Sequence, residues 1–210
     1  MSDHEQYAGM NDLNSMRYDI LREVGNIGAG NATTALSKLV NTQIDIGVPS
    51  VRLCDFSQMV SLIGEEEEVA VGILLMLKGD INGMMMFILK TDVASTLVNI
   101  MGLECDGTNF DEMQLSAIQE VGNIITGAYL CSLSDLTRLT IDVSVPLLQI
   151  DMVGSLLSVP AIEFGKLGDK VLLIETKFDD ERKKANAING YYILIPDIDS
   201  YQKILDSLGM

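Results

Sequence analysis

The sequence predicts an α+β fold made of two copies of one unit, related by a pseudo-twofold axis. Residues 23–49 and 120–146 align without gaps at an offset of 97, both copies opening on the run EVGNI. Thirteen of these 27 aligned positions are identical, against roughly one in twenty for unrelated residues. The tripeptide Ile-Asn-Gly at 81–83 also returns, at 188–190, with an offset of 107. Because two long copies are too few for a solenoid, one compact, internally duplicated body is expected.

The hydrophobic pattern gives both copies the same order: a long helix, several mostly antiparallel strands and a closing helix. In the first copy we predict a helix at 11–40, a strand at 42–48 ending at Pro49, a short helix near 55–63, strands at 68–78 and 82–89, and a helix at 92–101. In the second we predict a helix at 110–137, strands near 139–145, 170–177 and 190–195, and a helix at 197–208. The two sheet halves are expected to meet or merge, with the long helices outside.

The change of offset places about ten extra residues between Pro146 and Ile188. Insertions accumulate in exposed loops, so the polar stretches 164–170 and 178–186 are the expected hosts. We predict a disordered tail at 1–10 and a single domain at 11–210, made of repeats at about 11–103 and 110–209.

Composition and charge narrow the class of protein. The chain is 48% hydrophobic over 210 residues, enough for a substantial core. It has neither a membrane-spanning apolar run nor a signal-peptide pattern, so we predict a cytoplasmic protein without membrane insertion. The net charge of -16, from 14 basic and 30 acidic residues, argues against a nucleic-acid partner. With one histidine, His4, and no C-x-x-C spacing, the sequence offers no convincing zinc or iron site, and we predict no cofactor of its own.

The repeated motif forms one polar stripe on each long helix. At ~100° per residue, one narrow arc holds the polar and small positions: Asp19, Glu23, Asn26 and Gly30 in the first copy, and Ser116, Glu120, Asn123 and Gly127 in the second. The apolar positions point elsewhere and are predicted to be buried: Ile20, Val24, Ile27, Val121, Ile124 and Ile125.

Helix stability does not account for the Asn and Gly residues of this stripe. Asn and Gly inside a helix each cost about 0.5–1 kcal/mol relative to Ala. Close helix packing is the preferred explanation for Gly25 and Gly122, but packing does not require a carboxamide three residues after a carboxylate on an exposed face. The carboxylate can hold a Lys or Arg of a partner, and the amide can orient a water. Because the motif has neither a nucleophile with a base nor a metal, we expect it to position a reaction whose electrophile and metal come from elsewhere.

The pattern D/S-x3-E-x2-N-x22-P occurs at Asp19 to Pro49 and again at Ser116 to Pro146, and it resembles the CheC/CheX/FliY phosphatases of chemotaxis. Two motifs in a chain of this length, without a further switch domain, resemble the CheC branch. CheX would carry one motif and dimerise, and FliY would continue into a C-terminal switch domain. The copies differ at their first position and at residues 28–29 against 125–126, which allows the two sites unequal activity.

This resemblance implies that the chain dephosphorylates the response regulator CheY on its phosphorylated aspartate, with Mg²⁺ bound by the regulator. Glu23 and Glu120 would each pair with a Lys of the regulator, and Asn26 and Asn123 would align the attacking water. Asp19, Gly30, Ser116 and Gly127 would line the contact with the partner. The resemblance also implies a possible second partner, the deamidase CheD, and we expect a monomer.

Two other classes stay open on the sequence alone. One is a non-catalytic binding or scaffold module of the chemotaxis or flagellar switch apparatus, which loss of Glu or Asn from both copies would indicate. The other is a small-molecule enzyme with a site between the halves. No convergent Ser, Cys or His and no Gly-rich phosphate loop supports that second class.

Overall fold

A computed structural model of the chain describes residues 15–41, 44–107, 109–164, 170–180 and 188–209. Its helices are α1 (Ser15–Val40), α2 (Phe56–Ile63), α3 (Thr91–Ile100), α4 (Glu112–Thr137), α5 (Val153–Phe164) and α6 (Ile198–Ser207). Its strands are β1 (Ile44–Asp55), β2 (Val69–Gly79), β3 (Gly83–Lys90), β4 (Ile141–Val143), β5 (Leu147–Met152), β6 (Lys170–Asp180) and β7 (Ile188–Pro196). The predicted tail at 1–10 lies outside the described ranges. Within them, no helix is long and apolar enough to cross a membrane.

The strands form one seven-stranded sheet in the order β1-β6-β7-β3-β2-β4, with β5 also pairing with β2. Every pairing is antiparallel, which confirms the predicted α+β class. Between the two copies, β1 corresponds to β4 and β5, β2 to β6, and β3 to β7. The order of equivalent strands is therefore the same from either edge of the sheet. The two sheet halves therefore merge into one sheet.

The pseudo-twofold axis crosses the middle of this sheet. There β3 and β7 pair antiparallel, with Met86 opposite Ile193. These two residues are equivalent positions of the copies, at the offset of 107. The axis thus passes through this pair, perpendicular to the sheet. As a result, the first strand of each copy completes the β-hairpin of the other copy, since β1 pairs with β6 and β5 pairs with β2.

Helices cover both faces of the sheet. Strand β3 shows the division, because successive side chains point to opposite faces: Met85, Phe87 and Leu89 join one buried cluster, and Met84, Met86 and Ile88 join the other. The first cluster is closed by α1, α3, α4 and α6, and the second by α2 and α5. Both motif-bearing helices therefore lie on the same face.

The prediction of a strand ending at Pro49 is wrong, because β1 continues to Asp55. The pairing with β6 is irregular between Gly47 and Ser50, on either side of that proline. β1 is an edge strand, where a residue without a backbone N–H can be tolerated at a bulge. In the second copy the chain breaks at the equivalent Pro146, so the single strand predicted at 139–145 is replaced by the two strands β4 and β5.

Helix α5 was not expected from the pattern, although it corresponds to the predicted α2. Its sequence is apolar almost throughout and contains Pro160 and Gly154, so it shows little helical periodicity. It has 12 residues against eight in α2, and this difference accounts for four of the extra residues. The remainder fall between β6 and β7, at 181–187, outside the described residues. Four of the extra residues therefore lie in a helix, and not in the polar stretches that were predicted to hold them.

Candidate functional site

The two motifs occupy the same place on two helices of equal length. Glu23 and Asn26 are the ninth and twelfth residues of the 26-residue α1. Glu120 and Asn123 are the ninth and twelfth residues of the 26-residue α4. All four side chains are exposed. Within each motif, the Glu and the Asn are one helical turn apart and lie on the same face of the helix.

Local signals set the ends of the second motif helix. The Asp111 carboxylate accepts a hydrogen bond from the Gln114 backbone N–H at 2.8 Å, and the Gln114 side chain accepts one from the Asp111 N–H at 2.9 Å. This capping box satisfies two backbone donors at the start of α4. At the other end Arg138 is left-handed, with φ of 61°, and its N–H bonds to the carbonyl of Ser134. The motif thus lies well inside a helix with defined ends.

α1 and α4 pack directly against each other. A Cβ on Gly28 would lie 2.7 Å from Cδ1 and 3.0 Å from Cα of Tyr129, closer than side chains tolerate. Nearby, the Asn31 amide donates a hydrogen bond of 3.3 Å to the Ser132 hydroxyl. Gly28 therefore permits the close approach of the two motif helices.

The glycines near the motifs fall into two groups. Gly122 is buried, and a Cβ there would collide with the side chain of Ile73 on β2, as the packing explanation predicts. Gly25 is also buried. By contrast, Gly30 and Gly127 would have nothing within 4 Å of an added Cβ. Contacts within the chain therefore do not explain Gly30 and Gly127.

The catalytic candidates have no partner within the described part of the chain. There, no hydrogen bond or ion pair involves the side chains of Glu23, Asn26, Glu120 or Asn123. Asp19 differs, since its carboxylate lies 3.8 Å from the Arg22 guanidinium. That pair is well exposed and contributes little to stability. Among the described residues, no three His, Cys, Asp or Glu side chains are grouped so that they could hold a metal ion.

The apolar positions of the motif helices follow the prediction with one correction. Val24, Val121 and Ile125 are buried, and Ile124 is partly buried. Ile27 was predicted to be buried but is 38% exposed. It lies about 100° around the helix from Asn26, and so at the border of the exposed stripe. The side chain of Ile20 is outside the described set.

Two contacts beneath and beside the second motif were not anticipated from the sequence. The Gln119 amide donates a 2.9 Å hydrogen bond to the carbonyl of Pro146, which ties α4 to the β4–β5 connection. The hydroxyls of Thr126 and Tyr192 lie 3.3 Å apart in a hydrogen bond inside the core. Burial raises the pKa of the Tyr192 hydroxyl well above its usual value, although the bond to Thr126 acts in the opposite direction. For the contact of Thr126, the only signal in the sequence was the difference between residues 28–29 and 125–126.

Comparison with known proteins places this geometry in a family. The sequence profile of the CheC-like family matches residues 16–52 and 113–149, which are the two motif segments. Over 203 residues the chain is 34% identical to the protein named CheY-P phosphatase CheC of Bacillus subtilis (strain 168), covering 95% of this chain and 97% of that protein. The chain belongs to the CheC-like family.

Two further comparisons show a relative in sequence and a shared fold. The flagellar motor switch phosphatase FliY of Bacillus subtilis (strain 168) is 30% identical over 148 residues, covering 69% of this chain but only 38% of FliY. The crystal structure of Thermotoga maritima FliY superposes with a TM-score of 0.73 at 24% identity, covering 94% of this chain and 98% of that one. At that identity the superposition shows a shared fold.

Proposed function

We propose that this chain hydrolyses the aspartyl phosphate of a CheY-type response regulator. The observation that carries the proposal is the pair of exposed Glu-x-x-Asn motifs, at equivalent positions of two helices and without partners among the described residues. Support comes from the 34% identical relative, which is named a CheY-P phosphatase. Helix stability does not favour the Asn of each motif, so binding to something outside the chain accounts for it better.

The two side chains of each motif have different tasks in this reaction. The carboxylate of Glu23 or Glu120 pairs with a Lys of the regulator and sets the docking orientation. The amide of Asn26 or Asn123 both donates and accepts hydrogen bonds, so it can hold a water on the side of the phosphorus opposite the aspartyl oxygen. The water oxygen forms the new bond to phosphorus while the bond to the aspartyl oxygen breaks. The electron pair of that broken bond leaves with the carboxylate of the regulator, and inorganic phosphate is released.

Such a mechanism needs little covalent chemistry from the phosphatase. Phosphoryl transfer depends mainly on alignment and on stabilising the charge of the phosphoryl oxygens. The regulator supplies the electrophile, a Lys and the Mg²⁺ that stabilises this charge. The phosphatase adds a positioned water at each of two exposed sites.

The positions that flank each motif form the rest of the docking surface in this proposal. Gly30 and Gly127 leave open space next to the catalytic pair, so a partner's backbone can approach the helix closely. Asp19 and Ser116 lie one turn before the Glu residues and are exposed. A monomer in the cytoplasm, and CheD as a second partner, belong to the same proposal. Sedimentation, alone and with added CheD, tests the monomer and the second partner.

The decisive experiment is the decay of an acyl-phosphorylated CheY-type regulator with and without this protein. We expect the chain to accelerate the decay, and the variant that carries both Asn26→Ala and Asn123→Ala to leave it at the spontaneous rate. The double variant serves as the inactive protein in this comparison, because both changes are at exposed helix positions and leave the packing of the chain intact. Binding of the phosphorylated regulator without any acceleration would instead identify a non-catalytic binding module.

A further inference from the structure

A buried aromatic cluster lies directly beneath the second motif helix. The rings of Phe87 and Tyr192 stack with centroids 4.4 Å apart, and Tyr129 lies over Tyr192 at 4.9 Å. The Tyr192 hydroxyl reaches up to the Thr126 hydroxyl of α4. Thr126 and Tyr192 are almost fully buried. A buried hydrogen bond of this kind has a demanding geometry, because neither hydroxyl has water as an alternative partner.

The first motif helix lacks this contact at the equivalent positions. At the offsets of 97 and 107, the positions equivalent to Thr126, Tyr129 and Tyr192 are Ala29, Ala32 and Met85. All three are buried, and none carries a hydroxyl or a ring. Met85 borders an apolar cavity of about 40 Å³ that touches Val24 of α1 and also Tyr129 and Leu130 of α4. The support beneath the two motifs therefore differs, although their exposed faces match.

We propose that Thr126 and Tyr192 are positioning residues that fix the rotation of α4 about its axis, and with it the direction of Asn123. Thr126 follows Asn123 by one turn and is buried where Asn123 is exposed. A rotation of α4 that redirects Asn123 must stretch the bond between the two hydroxyls. This inference rests on the proposed function, because it names what aligns the water-holding amide in the second site.

The contact is uncharged across the working pH range. Burial raises the pKa of the Tyr192 hydroxyl well above its usual value, so the phenol keeps its proton. The effect of removing this hydroxyl should therefore be the same at pH 6.5 and at pH 8.5. A titrating role would make the effect depend on pH.

The test isolates each site in turn. Asn26→Ala leaves the second site, and Asn123→Ala leaves the first. Into each background we introduce Thr126→Val, Tyr192→Phe or both. In the Asn26→Ala background we expect kcat for regulator dephosphorylation to fall by about ten-fold, with KM within about two-fold, because misaligned groups react slowly once bound. In the Asn123→Ala background, kcat should be unchanged. Thr126→Ser keeps the hydroxyl and should retain most of the rate.

Stability is controlled by the paired change. Each single variant leaves one buried hydroxyl without a partner, whereas the double variant removes both and should unfold at nearly the parent temperature. Normal kcat in the double variant with the Asn26→Ala background would overturn the inference. An equal loss in both backgrounds would also overturn it, since that would indicate general damage.

A second readout is independent of activity. In the otherwise unchanged chain, the double variant should increase amide hydrogen exchange at residues 120–127 and leave residues 23–30 unchanged. Unchanged exchange at 120–127 would contradict the positioning role. If the parent chain fails to dephosphorylate the regulator, the proposed function fails, and the exchange measurement still decides whether these two residues hold α4.

Discussion

At the residue scale, each motif combines a side chain that can only accept hydrogen bonds with one that can also donate them. The Glu carboxylates offer hydrogen-bond acceptors alone. The Asn amides are uncharged and can hold a water both as hydrogen-bond donors and as acceptors. With no competing partner among the described residues, neither side chain has to break an internal contact before it meets the regulator. In the proposed function, the pair therefore separates docking from the chemical step.

The first prediction concerns the two amides. Asn26→Ala or Asn123→Ala alone should lower the rate of regulator dephosphorylation only in part, and the double change should abolish it. The thermal midpoint should stay nearly constant or rise slightly, because Ala has a higher helix propensity than Asn at an exposed position. The rate is measured by following loss of the acyl phosphate, and the midpoint by circular dichroism. Normal activity in the double variant would mean that the amides do not position the water.

The second prediction separates binding from chemistry. Glu23→Gln together with Glu120→Gln should weaken association by about 1–3 kcal/mol and make the remaining binding less sensitive to salt, because an interfacial charge is lost. The paired Asn→Ala change should lower the saturating rate with a smaller effect on affinity. To retain a measurable rate, each change is also tested at one site alone. Steady-state kinetics across regulator concentration distinguishes these effects.

The assignment of roles would be wrong if Asn→Ala raised the apparent Michaelis constant and left the saturating rate untouched. The amide would then be a docking residue. Asp135→Asn is a suitable control, since it removes an exposed charge on the same helix outside the motif and outside the proposed docking positions.

The sequence predicts the exposed half of the site better than its buried support. The exposed motif is a local pattern, repeated twice, so its spacing alone indicates one helix face. The bond between Thr126 and Tyr192 joins residues 66 positions apart, and no periodicity indicates which strand residue lies beneath which helix turn. Only alignment of the repeats, with Ala29 against Thr126, shows that the supports differ.

At the scale of secondary structure, glycine has opposite roles within the same two helices. Gly28 and Gly122 lie where another element leaves no room for a side chain, and Gly30 and Gly127 lie in open space. An L-residue is compatible with the helical backbone at all four positions, since none has a positive φ. Substitution by Ala therefore separates the requirement for packing from the requirement for an accessible surface.

The third prediction uses this contrast. Gly30→Ala and Gly127→Ala should each stabilise the chain by about 0.5–1 kcal/mol, because Ala has the higher helix propensity and the space is free. Both should weaken binding of the regulator if its backbone approaches the helix there. Gly28→Ala is the matched control and should destabilise by about 1–3 kcal/mol, because its Cβ would meet the backbone of Tyr129. Denaturant unfolding measures the stability, and unaltered regulator affinity in both Gly30→Ala and Gly127→Ala would remove these glycines from the docking surface.

The structure corrects the sequence predictions mainly where tertiary context overrides local signals. Pro49 is a strong local signal for the end of a strand, yet β1 continues because it is an edge strand with an irregular pairing at that point. The sequence of α5 does not show which side of the helix is buried, because it has apolar residues on both sides. Leu156 and Leu157 are buried against the sheet, whereas Val159 and Ile162 are exposed. The long motif helices and the apolar runs of β2 and β3 carry their own local pattern, which is why those elements were predicted correctly.

At the scale of the whole molecule, the duplication is tied together by exchanged strands. Among the described strands, the only pairing within the first copy is β2 with β3, since β1 pairs with β6 across the sheet. In the second copy, likewise, β6 pairs with β7, whereas β4 and β5 pair with β2 of the first copy. Among the described strands, neither copy therefore forms a complete sheet by itself. This arrangement places the two motif helices side by side on one face.

The last prediction follows from that exchange. A fragment of residues 11–105 would keep only the β2–β3 hairpin, because it lacks β6, the partner of β1, and β7, the second partner of β3. A lone hairpin is marginal in water. It should therefore be unfolded as a monomer, or fold only as a homodimer in which β1 of one copy pairs with β2 of the other and the two β3 strands pair across the axis. Circular dichroism and sedimentation across concentration distinguish these states. Adding the fragment 108–210 should restore a one-to-one complex with both motifs, and a folded monomeric half would contradict the dependence of each copy on the other.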